Sequence, residues 1–316
     1  MSRFIGELYL PLKTYDKGWL DVGDGHHIFW EVSGNPQGKP AVFLHGGPGG
    51  ACHADHRRLF NPAVYKIILF DQRGCGRSIP NAGLEANTTA HLVADLERLR
   101  LHLNVERWLI LGGSWGATLA LLYAQAFPQH VEALVLRGVF TGRQSELDWL
   151  YRYGASQIYP DAWQRFIDPI PEAERHDLIS AYYQRLTEST MEQRIHFAKA
   201  WCAWEAELMS VTPRPERLTL DADQSLALAR IETHYFVHQT FLAEGQILAA
   251  TQAIAHIPCI IVQGRQDMVT PPATAWSLHR ALPESQLHLV AGAAHATSEP
   301  GILSRLIDAT DYFANL

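Results

Sequence analysis

The chain has 316 residues, of which 47% are apolar, and a formal charge of −7. A chain of this length buries about three quarters of its unfolded surface without staples. Its mild acidity, with no long run of either sign, excludes a surface that tracks nucleic-acid phosphates. No stretch approaches the roughly 18 apolar residues of a membrane span. The opening MSRFIGELYLPLKTYDKGW lacks a basic segment followed by an apolar one, so a cytoplasmic protein without a membrane partner is expected. The four cysteines (Cys52, Cys75, Cys202 and Cys259) are scattered with no CxxC pair, which predicts reduced thiols rather than disulfides or a metal site.

Two short β-prone runs, 19–22 and 28–32, flank the turn Gly23-Asp24-Gly25. A second turn at 35–38 leads into AVFLH (41–45), a continuous apolar run as expected of a strand buried on both faces. HGGPGG follows, then the strand YKIILF (65–70) and the loop DQRGCGRS. Thr88 or Thr89 is placed to cap a helix reaching about Leu103, with Leu92, Leu96, Leu99 and Leu103 at helical spacing. Next come a strand at 107–111, the pentapeptide GGSWG, a buried helix at 117–127 stopped by Pro128, and a strand at 131–140.

From 141 to 255 the sequence is helical, aromatic and acidic, with no buried strand. The alternation then resumes with a strand at 258–264, a helix at 272–282, a strand at 287–290 and a helix at 300–314. Strands alternating with helices predict a mostly parallel sheet covered on both faces. The expected organisation is a discontinuous sheet domain, 1–140 with 256–316, and a helical cap at 141–255 inserted after the sixth strand.

Gly112-Gly113-Ser114-Trp115-Gly116 matches G-x-S-x-G between an apolar strand and an apolar helix, the context of a nucleophile elbow in an α/β-hydrolase fold. Triads on that fold run Ser, then Asp or Glu, then His. Asp267 follows the strand at 258–264 and His295 follows the strand at 287–290, so both are expected at the sheet edge where such folds place ligands. His45 and Asp71 also follow strands but precede the serine, and His45 better suits organising its loop. An oxyanion needs two preset donors. These are expected from the N–H of Trp115 and from the glycine loop, where Gly47 is preferred over Gly46.

In the 141–255 segment, Trp201, Glu205 and Leu208 share one helical face, and Leu228, Glu232 and Phe236 share another. A carboxylate on an apolar face is costly unless paired. Spacing alone leaves two partners open: a cation bound from outside, such as the amino group of a peptide, or arginines such as Arg194 and Arg230. Glu207 points away, toward solvent.

Together these residues resemble the proline iminopeptidase (prolyl aminopeptidase) family over nearly the whole chain. The resemblance rests on HGGPGG (45–50), DQRGCGRS (71–78), GGSWGATLAL (112–121), RGVF (137–140), WCAWE (201–205), IETHYF (231–236), GRQDMVTPP (264–272) and AHATSEPG (294–301). It implies a metal- and cofactor-free serine peptidase acting on small peptides with N-terminal proline. It also implies that Glu205 and Glu232 bind the imino nitrogen, that Phe140 packs on the pyrrolidine ring, and that Arg137 supports this region or forms a structural ion pair. Departures from the family pattern fall at Gln266, Thr270, Gly142, Leu150 and Ala294-His295-Ala296. They bear on pocket shape, not on the triad. Two rivals use the same scaffold: a capped esterase or amidase, which needs no buried carboxylate pair, and a non-catalytic binder, which needs no triad. Assembly into a homo-oligomer is left open.

Overall fold

Four apolar runs supply the middle of the sheet: β3 (Lys39–Leu44), β4 (Tyr65–Phe70), β5 (Trp108–Gly113) and β6 (Val131–Arg137). In the computed structural model, which describes residues 8–212 and 220–315, they are joined by β1 (Thr14–Gly23), β2 (His26–Gly34), β7 (Cys259–Gly264) and β8 (Ser285–Val290). The eight strands run in the order β1-β2-β4-β3-β5-β6-β7-β8. β1–β2 and β2–β4 pair antiparallel, and every other pair is parallel.

Side chains alternate across a strand, so each continuous apolar run feeds two cores. Val42 and Leu44 enter one, Ala41 and Phe43 the other, and β4, β5 and β6 divide in the same way. The first core is closed by α1 (Thr89–His102) and α2 (Trp115–Ala126). The second is closed by α10 (Pro300–Ala314), which buries Ile302, Leu306, Ile307 and Phe313.

The structure lengthens both N-terminal strands relative to the sequence expectation, because the hairpin pairs Thr14 with Ser33 well beyond the apolar residues. It starts α2 at Trp115, immediately after the serine. It ends β6 at Arg137, where Gly138 turns the chain out of the sheet at φ +55°. Neither threonine caps α1 through its side chain: Thr88 Oγ1 bonds His91 Nδ1, and Thr89 Oγ1 donates to the Thr240 carbonyl.

Between β6 and β7 the described residues are helical. They comprise α3 (Gln144–Tyr151), α4 (Pro160–Ile167), α5 (Leu178–Glu188), α6 (Met191–Leu208), α7 (Ala222–Val237) and the short α8 (Gln246–Ala249), with 3₁₀ turns between them; α9 (Pro272–Ala281) follows β7. Capping boxes at Thr190–Gln193 and Asp221–Gln224 start α6 and α7. An aromatic cluster locks the helices together: Tyr151 stacks on Trp201 with centroids 4.5 Å apart, and Phe166 stacks on Tyr182 at 4.8 Å. Buried Glu146 ties the start of this segment to the sheet side. It accepts from Thr141 Oγ1 at 2.6 Å and from Thr274 Oγ1, on α9, at 2.9 Å. No described helix is long and apolar enough to cross a membrane.

Candidate active site

Ser114 sits between β5 and α2 with φ 57° and ψ −124°, a left-handed conformation that a non-glycine residue adopts only when its surroundings force it. The surroundings are explicit. A Cβ on Gly112 would come within 2.2 Å of the Gly116 carbonyl oxygen, and one on Gly116 within 2.1 Å of the Leu44 carbonyl oxygen. The two glycines of G-x-S-x-G are therefore required by backbone contact. The Ser114 N–H donates to the Arg137 carbonyl at 2.8 Å, anchoring the turn to β6. Ser114 Oγ has no hydrogen-bond partner among the described residues and faces a cavity.

His295 lies beyond the end of β8 and is buried. Its Nδ1 donates to Asp267 Oδ2 at 2.8 Å. Asp267, in the loop after β7, is held by the N–H groups of Val269 (3.0 Å) and Thr270 (2.8 Å) on Oδ1. Gln263 Nε2 (2.9 Å) and Thr270 Oγ1 (3.1 Å) reach Oδ2. With Nδ1 protonated, Nε2 is the acceptor, and the donor it meets is Arg137 Nη1 at 2.8 Å. Burial lowers the His295 pKa below its ordinary value; Asp267 opposes this and the Arg137 charge adds to it. Arg137 is itself buried, which brings its guanidinium down to about 10, so it remains a cation at neutral pH.

The glycine loop is organised by His45. Its Nε2 accepts from the Gln72 N–H at 3.0 Å, and its Nδ1 donates to the Gly46 carbonyl at 2.9 Å. Gln72 in turn accepts from Trp115 Nε1 at 3.0 Å, tying the loop to the elbow. The Gly46 carbonyl also accepts from the Gly50 N–H at 3.2 Å. This fixes the peptide plane and turns the Gly47 N–H to its opposite side, where it has no partner among the described residues. Trp115 is the first residue of α2, and a first-turn N–H has no acceptor within its helix.

The cavity has a volume of about 580 Å³ and is lined by Ser114, His295, Arg137, Phe140, Glu205 and Glu232 among others. Glu205 comes from α6 and Glu232 from α7. Glu232 Oε2 accepts from Trp201 Nε1 at 2.8 Å, and Glu205 Oε1 accepts a very short bond from the Tyr151 hydroxyl. Burial raises the Glu232 carboxyl well above its ordinary value, and the neighbouring Glu205 charge adds to the shift. Burial raises Glu205 as well, against the hydrogen bond from Tyr151. The arginines that spacing left open as partners lie elsewhere: Arg230 donates to the Ala82 and Leu186 carbonyls, and Arg194 to that of Thr187. Among the described residues, no cation is hydrogen-bonded or ion-paired to either carboxylate. Glu207 pairs with Arg165 at the surface.

The structure thus brings Ser114, His295, Arg137, Phe140, Glu205 and Glu232 to one cavity, with Asp267 directly behind His295. Phe140 packs edge-on to Phe236, centroids 6.2 Å apart. Arg137 hydrogen-bonds the imidazole rather than either carboxylate. Sequence reading missed three supports. Gln263 bridges the Val139 N–H, Asp267 and the Thr270 carbonyl; its signal was a single polar residue inside the apolar run CIIVQG. Trp201 and Tyr151 hold the two carboxylates, and only Trp201 lay on the helical face that carries one of them.

An elbow serine, an Asp-His pair at neighbouring strand ends and an eight-stranded mostly parallel sheet define an α/β hydrolase, and the α/β-hydrolase fold family model matches residues 39–301. A bromoperoxidase from Bacillus anthracis has the same fold, with a TM-score of 0.66 at 16% identity over 95% of this chain and 100% of that one. Two relatives are much nearer in sequence. A probable proline iminopeptidase of Leptolyngbya boryana is 51% identical over 310 residues, 97% of each chain. The proline iminopeptidase of Xylella fastidiosa is 48% identical over 309 residues, 97% of this chain and 99% of that one. The chain belongs to the proline iminopeptidase family.

Proposed function

We propose that this protein is a metal-independent serine aminopeptidase that releases N-terminal proline from small peptides. The observation that carries the reading is the pair of carboxylates facing the cavity that holds Ser114, Glu232 buried and Glu205 partly buried, with no cation bound to them among the described residues. Such a pair is stabilised by a cation entering from outside. The imino group of an N-terminal proline is that cation, and Phe140 supports its ring. The segment 141–255 acts as the cap that closes one end of the cleft over the domain formed by 1–140 and 256–316.

Ser114 Oγ attacks the proline carbonyl carbon while His295 Nε2 takes its proton, and Asp267 stabilises the imidazolium. The oxyanion rests on the N–H groups of Trp115 and Gly47. His295 then protonates the leaving amine as the C–N bond breaks, leaving a prolyl ester on Ser114. Water, deprotonated by His295, cleaves that ester and the proton returns to Ser114. The matched substrates proline β-naphthylamide and N-acetylproline β-naphthylamide test the specificity. Cleavage confined to the free imino substrate is expected. Equal cleavage of both would make the protein a capped amidase.

Proton transfer to Nε2 requires Arg137 to give up its bond there, and its charge also disfavours the imidazolium. We therefore assign Arg137 to restraint of the base rather than to the proline. Replacing it with methionine is expected to speed labelling of Ser114 by a fluorophosphonate about tenfold, the worth of one hydrogen bond. An unchanged or slower rate would remove the restraint.

The pH dependences should separate. Burial lowers the His295 pKa, so fluorophosphonate labelling should survive in acid until below the ordinary imidazole value of 6.5. Peptide turnover also needs the carboxylate pair ionised, and both members are raised by burial. Turnover is therefore expected to feel a protonation that labelling does not, and a turnover limb left unmoved by Glu232→Gln would mean the pair does not bind substrate.

A further inference from the structure

Beyond the carboxylate pair, the same cavity is walled by the chain that follows β3, where His56 lies against Phe43. The imidazole is stacked on the Phe43 ring, with centroids 4.1 Å apart and planes at 21°, which fixes its orientation. Its Nδ1 accepts from the His53 N–H at 2.9 Å. A neutral imidazole carries one proton, so that proton sits on Nε2. Burial pushes the His56 pKa down to about 3, with the nearby His45 and His53 rings acting in the same direction, so the ring is neutral throughout the working range. The Nε2–H has no partner among the described residues. His56 therefore offers one neutral donor, fixed in tautomer and plane, on the wall of this cavity.

A peptide that places its imino group on Glu205 and Glu232, and its carbonyl carbon at Ser114, must place its next residue in the remaining space. Phe43, Ala51, His53 and His56 on this wall bring no carboxylate, so an acceptor is welcome there. We propose that His56 is a specificity-determining residue for the leaving residue, its Nε2–H donating to the main-chain carbonyl oxygen of the residue after proline. This rests on the aminopeptidase reading above. Every peptide offers that oxygen whatever its side chain, whereas an arylamide leaving group has none. The wall thereby favours genuine peptides without selecting their sequence.

The test compares kcat/KM for prolyl-alanine amide with that for prolyl β-naphthylamide, in the wild type and in His56→Phe, which keeps a ring on Phe43 and removes the donor. The variant is expected to lose about tenfold on the dipeptide amide and to change little on the arylamide, as the loss of one neutral hydrogen bond requires. Equal losses on both substrates, or none on either, would overturn the proposal. Should the phenylalanine variant not fold, His56→Gln and His56→Met are read by the same ratio. Glutamine keeps a donor and should hold the wild-type preference, and methionine should lose it; identical ratios in the two would overturn the assignment. Wild-type protein that cleaves neither substrate would overturn the aminopeptidase reading and this inference with it. Arylamide cleavage with a ratio insensitive to position 56 would overturn this inference alone.

Discussion

Replacing Ser114 with alanine should leave a folded protein whose turnover of prolyl β-naphthylamide is lower by about 10⁴-fold or more, as for loss of the nucleophile in other triads. The effect is expected to fall on chemistry alone, because the hydroxyl has no structural work. Ser114 Oγ bonds nothing among the described residues, and the anchor of the elbow is the Ser114 N–H on the Arg137 carbonyl, which alanine keeps. The left-handed backbone at φ 57° is imposed by Gly112 and Gly116 against their neighbours and is equally strained for alanine. Thermal unfolding and steady-state turnover of the variant check both halves. Activity within about tenfold of the wild type would remove Ser114 as nucleophile. A collapse of the melting temperature would place the serine in the fold rather than the reaction.

The sheet was legible because strands buried on both faces read as continuous apolar runs, and 65–70, 107–111 and 258–264 each became a strand within a residue or two of the expected limits. The positions of Asp267 and His295 followed from the same logic, since a residue just past a parallel strand lands at the one edge where loops converge. Hairpin length was not legible. β1 is mostly polar on its outer face, and its pairing is fixed by β2 rather than by its own pattern. Helical spacing placed Glu205 and Glu232 on apolar faces but left the two possible partners undivided. Separating them took the tertiary arrangement, in which Arg194 and Arg230 turn to backbone carbonyls. The contact between Arg137 and His295 spans 158 positions and joins the ends of β6 and a loop after β8, so no local pattern could announce it.

The second large effect is expected at Glu232. Exchange for glutamine keeps the size and an oxygen to accept from Trp201 Nε1, but it removes the charge that would meet the imino cation. Breaking one half of a buried ion pair costs about 3–5 kcal/mol, so kcat/KM on the free imino substrate should fall by roughly 10²–10³. Labelling of Ser114 by a fluorophosphonate, which brings no cation, should not slow. Stability should move the other way. Burial raises the Glu232 pKa in the folded protein above its unfolded value of 4.5, so the folded state holds a proton that the unfolded chain releases. Its contribution to stability is therefore lost as pH rises from about 4.5 through the folded pKa. Glutamine has nothing to release, so the variant should melt above the wild type at neutral pH, and the gap should close on acidification toward pH 4. A variant that loses turnover and labelling equally, and loses stability as well, would make Glu232 a structural acceptor for Trp201. A variant that is more stable and selectively inactive would mean that this carboxylate is kept, against the interest of the fold, for the cation it receives.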